Sequence, residues 1–190
     1  MEMKRGFYLI LACVFFIGCM KPQTKDSFNG LGSLKRYYSE VELQLINDKK
    51  TTTYNLTIYY DRDYDDTIRV DNDRIYNYGE GRILISDIQN NKNYEVKEDF
   101  DKVFHSIFFH KYINDFISSG KSLTELEQME YIGNKYFVLP IEKLDMESYH
   151  YVSGKLLIYC EFLIPSFLFF MDDTGQVTLK ATYNNFYKSS

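Results

Sequence analysis

From Tyr37 to Val96 the apolar side chains recur at every second position, a spacing that a pleated strand satisfies and a helix does not. Val41, Leu43 and Leu45 alternate with Glu40, Glu42 and Gln44; after Asn47-Asp48-Lys49-Lys50, Tyr54, Leu56, Ile58 and Tyr60 alternate with Asn55, Thr57 and Tyr59. Further short strands are predicted at Thr67–Val70, Arg74–Tyr78, Arg82–Asp87 and Asn93–Val96. Their separators, Asp71-Asn72-Asp73, Gly79-Glu80-Gly81 and Gln89-Asn90-Asn91-Lys92, carry turn chemistry. Six strands joined by tight turns make an antiparallel meander with one buried and one wet face. Such a sheet curls into an open or half-closed barrel around whatever covers its apolar side.

A helical cover is available. Asp99 is placed to N-cap a helix whose Phe100, Val103, Phe104, Ile107 and Phe108 form one stripe. Phe109, Tyr112, Ile113 and Phe116 repeat the spacing about half a turn further round, so one straight helix would be apolar on both sides. Two outcomes fit. Either the helix breaks near Phe108 to His110 and both halves cap the sheet, or Phe109, Tyr112, Ile113 and Phe116 face outward as a partner or ligand surface. The break is the expectation, because large exposed apolar faces are rare.

After Gly120 the strands resume. Met129–Ile132 and Lys135–Val138 flank Gly133-Asn134, read as a two-residue type II′ turn, and Pro140 is expected to end the hairpin. Lys155–Ile158, Phe167–Met171 and a last strand from Gln176 to Asn184 follow, with Asp172-Asp173-Thr174-Gly175 as a turn. Ten or eleven strands with a helical insert define an α+β class. The chain has no Trp but 18 Tyr and 15 Phe, so rings must supply much of the core.

The N-terminus points to export. Lys4 and Arg5 precede the apolar run Phe7 to Ile17, which is too short for a permanent span and reads as a signal peptide over residues 1–18. Phe16-Ile17-Gly18-Cys19 resembles the lipobox of bacterial lipoproteins, with Phe16 where that motif usually has Leu; the resemblance implies acylation of Cys19. Cys13 is a rival, but it leaves an unusually short apolar run. Residues 19–27, polar and containing Pro22, read as a tether, and residues 28–190 as one domain. The chain carries a net charge of −5, and removal of Glu2, Lys4 and Arg5 with the signal makes the mature chain one unit more acidic. Neither nucleic acid nor an anionic bilayer is an electrostatic partner for such a body.

No catalytic, cofactor or metal constellation is legible. His105 and His110 are five apart, not at the four-residue spacing of a zinc helix, and the third histidine, His150, is remote. With Cys13 removed and Cys19 acylated, Cys160 in Leu156-Leu157-Ile158-Tyr159-Cys160 is left as a small hydrophobe without an evident base and without a disulfide partner. Asp61-x-Asp63-x-Asp65 has the alternation of a calcium loop, but Asp66 stands where Gly is needed and Asn72 where Glu is needed, so a solvated hairpin end is the reading. Gly79-Glu80-Gly81 lacks the helix of a phosphate loop.

The order of these parts carries a resemblance. A meander, a helical excursion, a second set of strands, Pro165-x-Phe167-x-Phe169-x-x-Asp172-x-x-Gly175 and a final strand ending Tyr183-Asn184-Asn185-Phe186 together resemble the lipoprotein-carrier superfamily. Its fold is that of the periplasmic carrier LolA and its anchored partner LolB: a strongly curved antiparallel half-barrel sheet covered by helical segments. Within it, the Tyr-rich character and the lipobox are most similar to the GerS-like spore germination lipoproteins of clostridia. That likeness implies a non-catalytic, membrane-anchored protein of the spore envelope intermembrane space. It would assist a spore-cortex N-acetylmuramoyl-L-alanine amidase of the CwlD type in making muramic-δ-lactam. The alternative is a carrier of a lipid or other hydrophobic ligand in the concavity. Open strand edges also allow a homodimer, formed by strand exchange.

Overall fold

The structure, a computed structural model, describes residues 25–142 and 151–189. The signal segment, Cys13, Cys19 and His150 lie outside the described residues. All six strands of the meander form: β1 Arg36–Asn47, β2 Lys50–Asp61, β3 Asp66–Val70, β4 Arg74–Gly79, β5 Arg82–Asp87 and β6 Lys92–Lys97. Five more follow: β7 Glu127–Tyr131, β8 Asn134–Ile141, β9 Ser153–Tyr159, β10 Ile164–Met171 and β11 Val177–Ser189. They build one antiparallel 11-stranded sheet in the order β6-β5-β4-β3-β2-β1-β11-β10-β9-β8-β7. Neighbouring strands rotate by roughly 20–25° each, so a sheet this wide cannot lie flat. It stays open, with β6 and β7 as its edges.

The first and last strands meet at the centre. Their register slips by one residue between the pairs Tyr38↔Tyr187 and Glu40↔Asn184, a β-bulge with Asn185 at φ 47°. Asn tolerates that left-handed backbone, and its side-chain amide donates to Glu40 Oε2 at 2.7 Å. Buried Ser39 donates from Oγ to the carbonyl of Asn184 at 2.9 Å. Beyond the bulge Phe186 turns inward, against Tyr37 and Phe109.

Helical cover is slight: α1 Lys25–Gly32, α2 His110–Ser118 and three single 3₁₀ turns at Glu98–Phe100, His105–Ile107 and Leu123–Glu125. Helix α1 takes in Lys25–Ser27, which the sequence reading assigned to the tether, and buries Phe28 and Leu31. Gly32 lets α1 approach α2, since a Cβ there would lie 2.5 Å from Ile117 Cδ1. In β9, Gly154 leaves room in the same way for the Phe170 ring, 2.6 Å from where its Cβ would stand.

Three local expectations are corrected. Asp99 caps no helix, because it lies inside the Glu98–Phe100 turn. Asp101 Oδ1 instead accepts the backbone N–H groups of Val103 and Phe104 at 3.0 and 3.1 Å, a local side-chain turn that competes with helix. The chain is extended at Phe108 (ψ 95°) and α2 starts two residues later, so the expected break occurs while its first half stays irregular. The β7–β8 turn is Ile132-Gly133, not Gly133-Asn134: Tyr131 pairs with Asn134 and both turn residues have positive φ, 48° and 73°, as type I′ requires. Pro140 does not end the hairpin but lies within β8, paired to Lys155 on β9. The pairing with β7 stops at Val138, so the missing N–H of Pro140 faces no neighbour.

Candidate functional site

Alternation sorts the second half of the sheet into two apolar faces. Phe137, Leu139, Leu156, Ile158, Leu168 and Phe170 point to the main core, under α1, α2 and the insert. Tyr136, Leu157 and Phe169 point the other way and bury themselves among Met129, Tyr131, Val138, Tyr159, Phe167 and Val177. Every member of this second cluster is a strand residue of β7 to β11. Its rings interlock edge to face: Tyr131 meets Phe167 at 5.0 Å and Phe169 at 5.8 Å, and Tyr136 meets Phe167 at 5.7 Å. Lys155 Nζ lies 5.6 Å over the Phe169 ring and Lys180 Nζ 5.8 Å over Phe167. Across β1 and β2 the same outer face carries Glu40, Glu42, Gln44, Asn55 and Thr57, and near the start of β1 a smaller ring group, Tyr38 against Tyr59 and Tyr187. The larger of the outer aromatic groups, half-exposed on β7–β10, is thus the surface best suited to hold a partner.

The four side chains that the sequence offered as an alternative partner or ligand surface lie elsewhere. Phe109 and Ile113 are fully buried, Phe116 is buried edge-on to Phe28, and Tyr112 is half-buried with its hydroxyl donating to the carbonyl of Ser106 at 2.7 Å. The structure brings them together, but as core, because the break at Phe108 turns both halves of the insert toward the sheet. The outer cluster had a signal of its own: Tyr136–Leu139, Leu156–Tyr159 and Phe167–Met171 are apolar without alternation, as strands covered on both faces are.

Among the described residues, the insert packs into the covered side of the sheet. Ile107, Phe108 and Phe109 are fully buried in it, Phe109 stacks on Tyr37 at 4.4 Å, and Tyr183 donates from its hydroxyl to the Ile107 carbonyl at 2.6 Å. His110 stacks on Tyr60 at 3.9 Å, and its Nδ1 lies 3.0 Å from the Tyr37 hydroxyl. Burial holds this imidazole down to a pKa of about 4, so it is neutral near pH 7.

A polar cluster sits at the edge of this core. His105 Nε2 lies 2.7 Å from Lys111 Nζ and 3.4 Å from Asp66 Oδ2, while its ring stacks on Tyr78 at 4.5 Å. Burial holds the Lys111 ammonium below its usual range; the Tyr78 hydroxyl, pushed up by burial and Asp101, donates to Asp101 Oδ2 at 2.9 Å. These contacts tie the insert to β3 and β4. Among the described residues, no group of three or more His, Cys, Asp or Glu is placed to hold a metal. Asp61 pairs with Arg36 at 2.6 Å, and Asp172 Oδ1 accepts the N–H groups of Thr174 and Gln176, each at 2.9 Å, so both acid-rich segments are built as turns. Cys160 is half-buried and burial pushes its thiol up, away from nucleophilic thiolate.

An open antiparallel sheet, covered on one side by its own insert and bearing aromatic groups on the other, is the class of fold in hand. It is similar to that of an uncharacterized conserved protein from Thermus thermophilus, with TM-score 0.52 and 8% identity over 87% of this chain and 85% of that one. The chain belongs to the YdcC-like family of sporulation proteins, whose model matches residues 5–190. A chain in the structure of the CwlD amidase from Clostridioides difficile in complex with the GerS lipoprotein is similar at 16% identity, over 89% of this chain and 99% of that one, with TM-score 0.47. A LolA superfamily protein from Nitrosomonas europaea is similar at 8% identity, over 88% and 94%, with TM-score 0.39. No curated protein matches the sequence. Among the described residues, no helix is long and apolar enough to cross a membrane.

Proposed function

We propose that this sporulation protein is an exported, membrane-anchored lipoprotein without catalytic activity of its own. It binds a spore-cortex amidase of the CwlD type and supports that enzyme in modifying cortex peptidoglycan to muramic-δ-lactam. The observation that carries the reading is the interlocked aromatic face on β7–β10, together with membership of a sporulation family. A ring cluster capped by two lysines offers rigid, amphipathic contact area of the kind that dominates protein interfaces. The burial of Ile107, Phe108 and Phe109 against the sheet favours this over transport of a lipid inside it. A second copy would add at the edges β6 or β7, each of which carries charged side chains that restrain such pairing.

Co-expression with the amidase and size exclusion test the partner. The wild-type chain is expected to co-elute and to raise the retained zinc or activity of the enzyme. A partner that binds only the folded, loaded form stabilises it by about 2.7 kcal/mol at a hundredfold excess over Kd. Tyr131→Ser with Phe167→Ser is expected to abolish co-elution while the core, on the opposite face, stays folded. Separate elution of the wild-type proteins with unchanged zinc content would sink the reading.

The anchor has its own test. Labelling with a palmitate analogue is expected to mark the wild-type chain and not Cys19→Ala, which folds but is released from the membrane fraction. An unlabelled wild-type chain refutes acylation.

A further inference from the structure

Antiparallel strands alternate in direction, so alternate connections fall on the same rim of the sheet. The rim at which β1 begins also holds the β2–β3 loop, the β4–β5 turn, the segment after β6, the β7–β8 turn, the β9–β10 loop and the end of β11. Among the described residues, the five most exposed large hydrophobic side chains are Tyr64, Ile132, Phe162, Tyr187 and Phe100, 59–73% exposed. Four lie in the connections of this rim, and Tyr187 sits on β11 two residues short of its end, with its ring against Tyr38. The opposite rim turns on Asn47-Asp48-Lys49-Lys50, Asp71-Asn72-Asp73 and Asp172-Asp173-Thr174-Gly175.

Ile132 adds a second observation. A β-branched residue at φ 48° is strained, Asn would serve that turn without strain, and the side chain is 68% exposed. Strain held at an exposed apolar tip suits a contact outside the chain. The N-terminal segment leaves from the same rim: Arg62 on the β2–β3 loop donates from its backbone N–H to the Lys35 carbonyl at 2.8 Å, and its Nη2 lies 3.4 Å from the Gly32 carbonyl at the end of α1. From Lys25, the six residues back to Cys19 reach at most about 21 Å.

We propose that this rim rests on a lipid surface, with Ile132 and Phe162 immersed at the headgroup boundary and Phe100, Tyr64 and Tyr187 beside them. Phe and Tyr are suited to that depth, with an apolar body and, in Tyr, a polar tip. The rim mixes Arg62, Lys97 and Lys135 with Asp63, Glu80 and Glu161, and the chain is acidic, so the contact is apolar and does not need anionic lipid. The inference rests on the anchored reading for its supply of membrane, and the test separates the two.

The chain lacks Trp, so Ile132→Trp, Phe162→Trp and, on the opposite rim, Ile88→Trp each install a sole reporter. Each mature acylated protein is incorporated into phosphatidylcholine vesicles brominated high on the acyl chains and followed by flotation and fluorescence. Expected is flotation of all three, with most of the emission of I132W and F162W lost to bromine and that of I88W kept. Flotation with the two rim reporters no more quenched than I88W overturns the rim contact alone. A rim reporter shielded only when the amidase is added assigns the rim to a protein partner and also overturns it. Loss of flotation overturns the anchor and the rim contact together.

Discussion

Replacing Phe109 by Ala is expected to cost about 3–5 kcal/mol of folding stability, the range for removing a fully buried Phe. Its ring joins distant parts of the molecule. It stacks on Tyr37 of β1 at 4.4 Å, meets Tyr183 and Phe186 of β11 edge-on at 5.7 and 5.6 Å, and stands at the entrance to α2. The cavity would open where the first and last strands pair, at a site walled by rigid strands that can collapse only partly. Denaturant unfolding monitored by Tyr fluorescence or circular dichroism measures the loss as a lowered midpoint at unchanged slope. A loss under about 1 kcal/mol, far below the range for a buried ring, would mean that the insert does not seat on the central strands as described.

The second large effect is a dependence on pH. His110 has a folded-state pKa of about 4, depressed first by burial, against an ordinary value of 6.5. The unfolded chain therefore binds a proton that the folded one refuses, so stability rises with pH across this window. The contribution is fully present above pH 6.5 and is lost progressively as the pH falls toward 4, by about 3 kcal/mol in all at roughly 1.36 kcal/mol per unit. His110→Phe, which keeps a ring against Tyr60, is expected to flatten that part of the profile. If wild type and variant lose stability in parallel between pH 6.5 and 4, His110 is not the group responsible.

The meander was legible because its alternation is local: every turn between β1 and β6 falls where a cluster of Asp, Asn, Gly or Lys interrupts the period. Registers that depend on distant strands were not legible. Asn185 enters the left-handed region because β11 must bring Phe186 inward against Tyr37, a demand set near the other end of the chain. The turn at Ile132 was misread because a Gly-first rule is sound for type II′ but silent on which pair of residues closes the hairpin. The insert was half legible. Its apolar spacing located the break at Phe108 and the capping of the sheet by both halves, yet nothing in the spacing showed that Asp101 would cap the preceding turn or that Phe100 would be left exposed. The outer face of β7–β10 was written in runs such as Leu156-Leu157-Ile158-Tyr159, whose lack of alternation marks strands apolar on both sides.

The neighbouring of β1 and β11 bears on when this domain can exist at all. The meander β2–β6 and the strands β7–β10 are joined in the sheet only through that central pair. A chain still missing its final strand of 13 residues thus has two unconnected half-sheets and no completed middle. Long loop closure makes such pairing slow as well as late. On the export proposed above, the finished core would wait until the C-terminus has emerged on the far side of the membrane, leaving the crossing chain unfolded until then.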